Sequence, residues 1–270
     1  MESFGLPPGS EHRSWMGKKM RLDLVYSVAG VSTTLFLTTP EGSILVDAGD
    51  GALRDMIEIG SKLMGGVDYS DRESMVAMSS WFAGALITHP HFDHYAGLLP
   101  FLNFLQLIGR RDPFPVVYPE GSKVIEELVD LQVENLFEEN LYDIDLIPVV
   151  DGQKMRIGNL NIEAKDTLHR DSRPGHVGIR IPAVSYSVEY RGERIVFSGD
   201  TGDVGKLKEI AKGADLLVVE ATYPGRNDLS EGVHLTVDEA LEAGSVAKEK
   251  FLIHFTGASY RRVMDEKLIF

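Results

Sequence analysis

The stretch Thr88-His89-Pro90-His91-Phe92-Asp93-His94 packs three imidazoles and a carboxylate into six positions. Imidazole nitrogen and carboxylate oxygen form a ligand set for zinc, manganese or iron. In an extended segment His89 and His91 point the same way, so both can grip one cation. Asp93 and His94, around the next bend, can turn towards a second. A lone histidine is more often a satisfied core or surface residue than a ligand. Three of the chain's eight histidines gathered this tightly beside an aspartate point instead to metal chemistry.

Further candidates lie along the chain at the ends of predicted strands: His169, Asp200 and His254, with Asp47 earlier. Each alone is an ordinary polar residue. Together they supply the donors that two adjacent metals need, because sites in layered folds gather where strands end and loops converge. His169 directly follows a strand and is the favoured third histidine. His176, in the loop that begins Arg173-Pro174-Gly175, is the alternative.

The elements that must position these groups can be read from pattern. Ala83 to Ile87 is an apolar run of buried-strand type, and Pro90 stops both a ladder and a helix there, which leaves the cluster on a loop. Three short strands, Arg21 to Tyr26, Thr33 to Thr39 and Ser43 to Val46, read as an antiparallel meander ending in the turn-rich Asp47-Ala48-Gly49-Asp50-Gly51. Helical spacing covers Ala52 to Met64, Tyr95 to Leu107, Lys123 to Asn135, Leu207 to Lys212 and Thr236 to Lys248, with Thr236 as an N-cap. Strands are expected at Val116–Tyr118, Leu141–Val150, Met155–Ile157, Leu160–Ala164, Val184–Glu189, Arg194–Phe197, Asp215–Glu220 and Phe251–Phe255. Strands with interspersed helices predict an α/β layered sandwich.

The chain has 270 residues, enough for one domain with a sizeable core, and residues 1–19 read as an N-terminal extension to it. Its net charge of −14 disfavours loose attraction to nucleic acid or anionic membrane. With no cysteine, disulfides, thiolate ligands and a Cys nucleophile are excluded, so any metal is held by His and carboxylates. No apolar segment approaches a membrane span, and the N-terminus lacks signal-peptide order. A cytoplasmic protein is expected, with no membrane partner. Oligomeric state stays open, a homodimer included.

Over residues 20–262 the chain resembles the metallo-β-lactamase superfamily. The resemblance is carried by Leu45-Val46-Asp47-Ala48-Gly49, the HxHxDH cluster and Ser198-Gly199-Asp200-Thr201. It continues in His234-Leu235-Thr236, Leu252-Ile253-His254-Phe255-Thr256 and Ser259-Tyr260-Arg261, which look like the end of ribonuclease Z and its phosphodiesterase relatives. The resemblance implies a four-layer αββα sandwich holding two divalent metals, zinc foremost, with manganese or iron also suited. It implies that His89, His91 and His169 hold one metal, that Asp93, His94 and His254 hold the other, and that Asp200 bridges them. Asp47 would brace the site from behind, Asp93 would also orient a bridging hydroxide nucleophile, and His234 would protonate the leaving oxygen.

The chain departs from ribonuclease Z in two places. Between His169 and Asp200 the family carries a long tRNA-gripping arm, where Arg170 to Gly199 leaves room for a loop and two strands. The family's His-Glu-Ala-Thr reads Val219-Glu220-Ala221-Thr222. The expected activity is therefore a metal-dependent phosphodiesterase of the ribonuclease Z-like branch, acting on a small-molecule or nucleotide phosphodiester. RNA is a less favoured substrate. A tRNA 3′-processing endonuclease, a lactone or thioester hydrolase, and a non-hydrolytic metal-binding protein are the alternatives.

Overall fold

Residues that alternate between two buried faces set the layering. In β-strands successive side chains point to opposite sides, and here consecutive residues enter different cores: Leu35 and Leu37 on one side of their strand and Phe36 on the other, Leu216 and Val218 against Leu217 and Val219. Strands buried on both faces read as continuous apolar runs, which is why they were legible as runs. The computed structural model describes residues 12–63, 71–135, 139–173, 175–226 and 232–268.

The first half runs β1 (Arg13–Met16), β2 (Arg21–Val28), β3 (Ser32–Thr39), β4 (Gly42–Ala48), α1 (Ala52–Leu63), α2 (Arg72–Trp81), β5 (Phe82–Leu86), α3 (Phe92–Tyr95), α4 (Leu98–Leu107), β6 (Phe114–Pro119), α5 (Lys123–Asn135) and β7 (Ile144–Val149). The second half runs β8 (Lys154–Ile157), β9 (Leu160–Asp166), β10 (Arg170–Arg173), β11 (His176–Arg180), β12 (Val184–Tyr190), β13 (Glu193–Phe197), α6 (Val204–Ala211), β14 (Leu216–Glu220), α7 (Val237–Gly244), β15 (Glu249–Ile253) and α8 (Gly257–Asp265).

Strands β1 to β7 form one sheet in sequence order, antiparallel up to β4 and parallel from there. The second sheet has the order β15-β14-β13-β12-β9-β8. Leu22, Ile44, Leu86 and Val117 from the first sheet meet Tyr186, Ile195, Val218 and Ile253 from the second in a shared core. Helices α1, α2, α4 and α5 cover the outer face of the first sheet, and α6, α7 and α8 cover the second. This is the αββα sandwich. Each fully buried Leu, Val or Phe contributes about 1.5–3 kcal/mol relative to an exposed position.

Several details differ from the sequence expectations. Residues 13–16 of the expected extension are strand β1, whose Trp15 packs on the central core, while residues 1–11 and Met64 lie outside the described residues. Glu193 fastens this end by accepting the backbone N–H groups of Lys18, Lys19 and Met20 at 2.7, 2.8 and 2.8 Å. The helix expected over Tyr95 to Leu107 is broken at Gly97 into α3 and α4. A side chain on Gly97 would strike the Gly49 carbonyl, and its N–H donates to the Ala48 carbonyl at 2.8 Å, so the break seats α3 on the Asp47 loop. Arg170 to Gly199 holds the β10–β11 hairpin as well as two strands, one hairpin more than expected. Helices α2 and α8 were not anticipated. No helix among the described residues is long and apolar enough to cross a membrane.

Candidate metal centre

The carboxyl ends of β4, β5, β9, β13 and β15 deliver the candidate donors. Asp47 is the penultimate residue of β4, and His89, His169, Asp200 and His254 follow the other strands. His91 is the N-cap of the single-turn helix α3, which turns Asp93 and His94 inward. Asp47 and His254 have φ of 56° and 58°, in the left-handed region where non-glycine residues are rare. Such backbone persists where the surroundings over-determine it. Here Asp47 is held by Thr88 and His94, and the His254 N–H donates to Ser27 Oγ at 2.9 Å.

The donors gather in two groups around one oxygen. His89, His91, His169 and Asp200 form one group, and Asp93, His94 and His254 the other, the donor atoms of each lying within 4.8 Å of one another. Asp200 Oδ2 stands between them, 3.6 Å from His89 Nε2, 3.4 Å from His94 Nε2, 3.5 Å from His254 Nε2 and 4.0 Å from His169 Nε2. His176 sits exposed on β11, paired in register with Arg173, and is outside both groups.

Imidazole orientation is set from outside the cluster. The Nδ1 atoms of His94, His254, His169 and His89 meet Asp47 Oδ2 (2.7 Å), Thr222 Oγ1 (2.8 Å), the Val233 carbonyl (2.7 Å) and Thr88 Oγ1 (3.0 Å). Metal-binding histidines characteristically engage an oxygen through the ring nitrogen that does not bind the metal. Each Nε2 therefore faces the centre, whereas His91 presents Nδ1, 3.0 Å from His169 Nε2. His94 Nε2 and His254 Nε2 approach to 3.3 Å. With both Nδ1 atoms engaged outward, the two Nε2 atoms face each other at a distance that a hydrogen bond or a shared cation satisfies. His89 Nε2 is buried without a hydrogen-bond partner, and such an atom is costly unless something else satisfies it. The residues fit a pair of divalent ions.

Burial and the neighbouring carboxylates divide the imidazoles. Burial drives His89 well below its ordinary value and His169 down to about 3, despite the pull of Asp200, so both imidazoles are neutral near pH 7, the form in which a ring nitrogen can bind a metal. Burial opposes the ionised form of Asp93 and Asp200, but the surrounding histidines outweigh it and lower both carboxylates. In His94 burial is likewise overcome, by Asp200, Asp47 and Asp93, and the imidazole is raised.

His234 lies on the loop before α7, with Nδ1 3.1 Å from Glu220 Oε2 and 3.7 Å from Asp200 Oδ2. It can group with Asp200 and His254 as donors, but its Nδ1 is engaged by Glu220. Burial lowers its pKa, yet Glu220 and Asp200 more than compensate and lift it to about 9. His91 and His234, 29% and 12% exposed, mark the open side of the cluster. Thr236 closes a capping box with Glu239 at the start of α7, which fixes the chain just beyond His234.

Sequence reasoning assigned no role to Glu220, Thr88 or Thr222. Glu220 is fully buried at the end of β14, where its Oε1 accepts the Thr201 N–H at 2.7 Å and its Oε2 accepts the Thr222 hydroxyl at 2.5 Å. The available signal was a carboxylate closing the apolar run Leu216 to Val219, a position where an unpaired charge is expensive.

The chain is similar to known proteins in sequence and in fold. Ribonuclease Z of Pyrococcus furiosus is 28% identical over 250 residues, spanning 78% of this chain and 76% of the relative. The metallo-beta-lactamase fold protein YhfI from Bacillus subtilis superposes with a TM-score of 0.64 at 20% identity, covering 94% of each chain. Human tRNase Z, short form, superposes with a TM-score of 0.62 at 20% identity, covering 87% of this chain and 92% of that one. The family model described as the beta-lactamase superfamily domain matches residues 44–255, and the chain belongs to that superfamily.

Proposed function

We propose that this protein is a dinuclear metal-dependent phosphodiesterase of the ribonuclease Z-like branch. The observation that carries the reading is Asp200 Oδ2, placed 3.4–4.0 Å from the Nε2 atoms of four histidines contributed by both sheets. His89, His91 and His169 hold one cation, Asp93, His94 and His254 hold the second, and Asp200 lies between them. Zinc suits this donor set best, with manganese or iron also accommodated. When bound, such a pair supplies Lewis acidity and a water deprotonated near neutral pH.

The chain's own groups then divide the remaining work. Asp93 accepts the Gly30 N–H at 2.8 Å, which fixes its carboxylate so that it orients the attacking water as well as binding metal. Glu220 engages Nδ1 of His234 and leaves Nε2 for the substrate, so His234 carries the proton given to the leaving oxygen. Asp47 holds His94 and the start of the cluster in register. The ribonuclease Z relatives support a phosphodiester, and the −14 charge favours a small or nucleotide substrate over extended RNA. A cytoplasmic setting is part of the same reading, and a chain without cysteine is compatible with it.

Metal analysis of the purified protein, joined to turnover of bis(p-nitrophenyl) phosphate, tests this. We expect about two equivalents of metal and turnover that Asp200→Ala and His91→Ala both abolish while the circular dichroism stays native. Unchanged rates in either variant, or no turnover after loading with zinc, manganese or iron, would overturn it. Cleavage of precursor tRNA would identify the 3′-processing endonuclease instead, and preference for a lactone or thioester a carbonyl hydrolase.

A further inference from the structure

One candidate imidazole is turned the opposite way from the rest. Nδ1 of His94, His254, His169 and His89 each points away from the centre onto an oxygen, at 2.7, 2.8, 2.7 and 3.0 Å. In His91 it is Nδ1 that faces inward, 3.0 Å from His169 Nε2, and Nε2 that looks out of the cluster. The one carboxylate within 4.0 Å of that Nε2 among the described residues is Asp171, through Oδ1.

Asp171 stands on β10, two residues after His169, in a hairpin that belongs to neither main sheet. The hairpin's base is tied to the same histidine, since the Ile181 N–H donates to the His169 carbonyl at 3.1 Å. Arg170 is paired in register with Arg180, and strand alternation turns Asp171 to the other face. Gly178 on β11 leaves its carboxylate room: a Cβ there would stand 3.1 Å from Asp171 Oδ2. The hairpin also carries Arg170, Arg173 and Arg180, yet the ion-pair contact Asp171 makes among the described residues is with His91.

A ligating imidazole characteristically donates its second N–H to a carboxylate or carbonyl, which fixes the tautomer and the plane of the ring. With Nδ1 as the ligand atom, the proton of His91 resides on Nε2, facing Asp171. Asp171 is exposed, so rotation of its side chain can close the 4.0 Å gap to hydrogen-bond distance. We infer that Asp171 is the positioning residue of His91, accepting its Nε2–H and holding Nδ1 towards the cation shared with His89 and His169. The segment 169–171 then supplies one donor and the brace of another, which makes the hairpin part of the metal centre. The inference rests on the dinuclear reading proposed above.

Zinc affinity measured by chelator competition tests it. Asp171→Ala should weaken the zinc held by His89, His91 and His169 by about tenfold, the lower end of the usual effect because the pair is exposed. Asp171→Asn, which keeps an acceptor but not the charge, should lose less. Because Asp171 acts through His91, the double variant should bind that zinc no more weakly than His91→Ala alone. Long-range proton–nitrogen NMR of the zinc-loaded protein gives a readout independent of affinity: His91 should be the Nε2–H tautomer, with an N–H that exchanges with water faster in Asp171→Ala. Wild-type affinity in Asp171→Ala, additive losses in the double variant, or an unchanged His91 N–H would overturn the inference, while zinc bound by the wild-type protein kept the dinuclear reading intact. Failure of the wild-type protein to bind zinc, manganese or iron would overturn both.

Discussion

Asp47 and His94 are joined by a 2.7 Å contact between Oδ2 and Nδ1, and the other oxygen of Asp47 accepts the Thr88 N–H, also at 2.7 Å. One buried carboxylate thereby orients a candidate ligand and anchors the loop that carries three more. Asp47→Ala should weaken metal binding by about 10–100-fold, the usual effect of losing such a partner. Competition with a fluorescent chelator measures it, and wild-type affinity in the variant would contradict the role.

Glu220 and His234 should behave as one unit. Removing a positioned proton donor costs about 10²–10⁴ in rate, so His234→Ala should lower kcat on a poor leaving group within that range, with a smaller loss on p-nitrophenolate. Glu220→Gln should lower kcat less. Because Glu220 acts through His234, the double variant should be no slower than His234→Ala alone. Additive losses would separate the two residues.

Stripping the metals should lower thermal stability, because ions held only by the folded chain stabilise it by mass action. At free metal about a hundredfold above its Kd the expected drop in Tm is about 5–10 °C. Scanning calorimetry with and without chelator checks this, and re-addition of zinc should restore the original transition. A Tm indifferent to metal would argue that the donors form no resident site.

Phe82 lies at the junction of β5 with the outer helices, its ring 5.8 Å from Phe36 and 5.9 Å from Phe101, all three fully buried. Phe82→Ala should cost about 3–5 kcal/mol through lost burial and the cavity left behind. Urea unfolding gives the number directly. A loss below about 1 kcal/mol would mean that the helical layer repacks freely.

The HxHxDH cluster was legible because its donors are neighbours in sequence, and His169, Asp200 and His254 because each lies at or just beyond a predicted strand, Asp200 and His254 after apolar runs. Those runs exist because both faces of each sheet are covered, so the layers and the site were readable from one pattern. Glu220 was not, since its partner His234 is 14 residues away and nothing local connects them. The β10–β11 hairpin escaped because Arg170 to Arg180 has no apolar alternation to mark strands. Helix α2 escaped because its serines and methionines give a weak stripe. Its start is marked instead by Asp71, whose side chain accepts the Glu73 and Ser74 N–H groups.

Neither sheet carries a complete set of donors: Asp93 and His94 need His254, and His89 and His91 need His169 and Asp200. During synthesis the early half of the chain leaves the ribosome with an unfinished cage, and the last bars arrive only with β13 and β15. The two candidate donor groups are then completed only as the final strands dock, which makes assembly of the centre a closing event of folding.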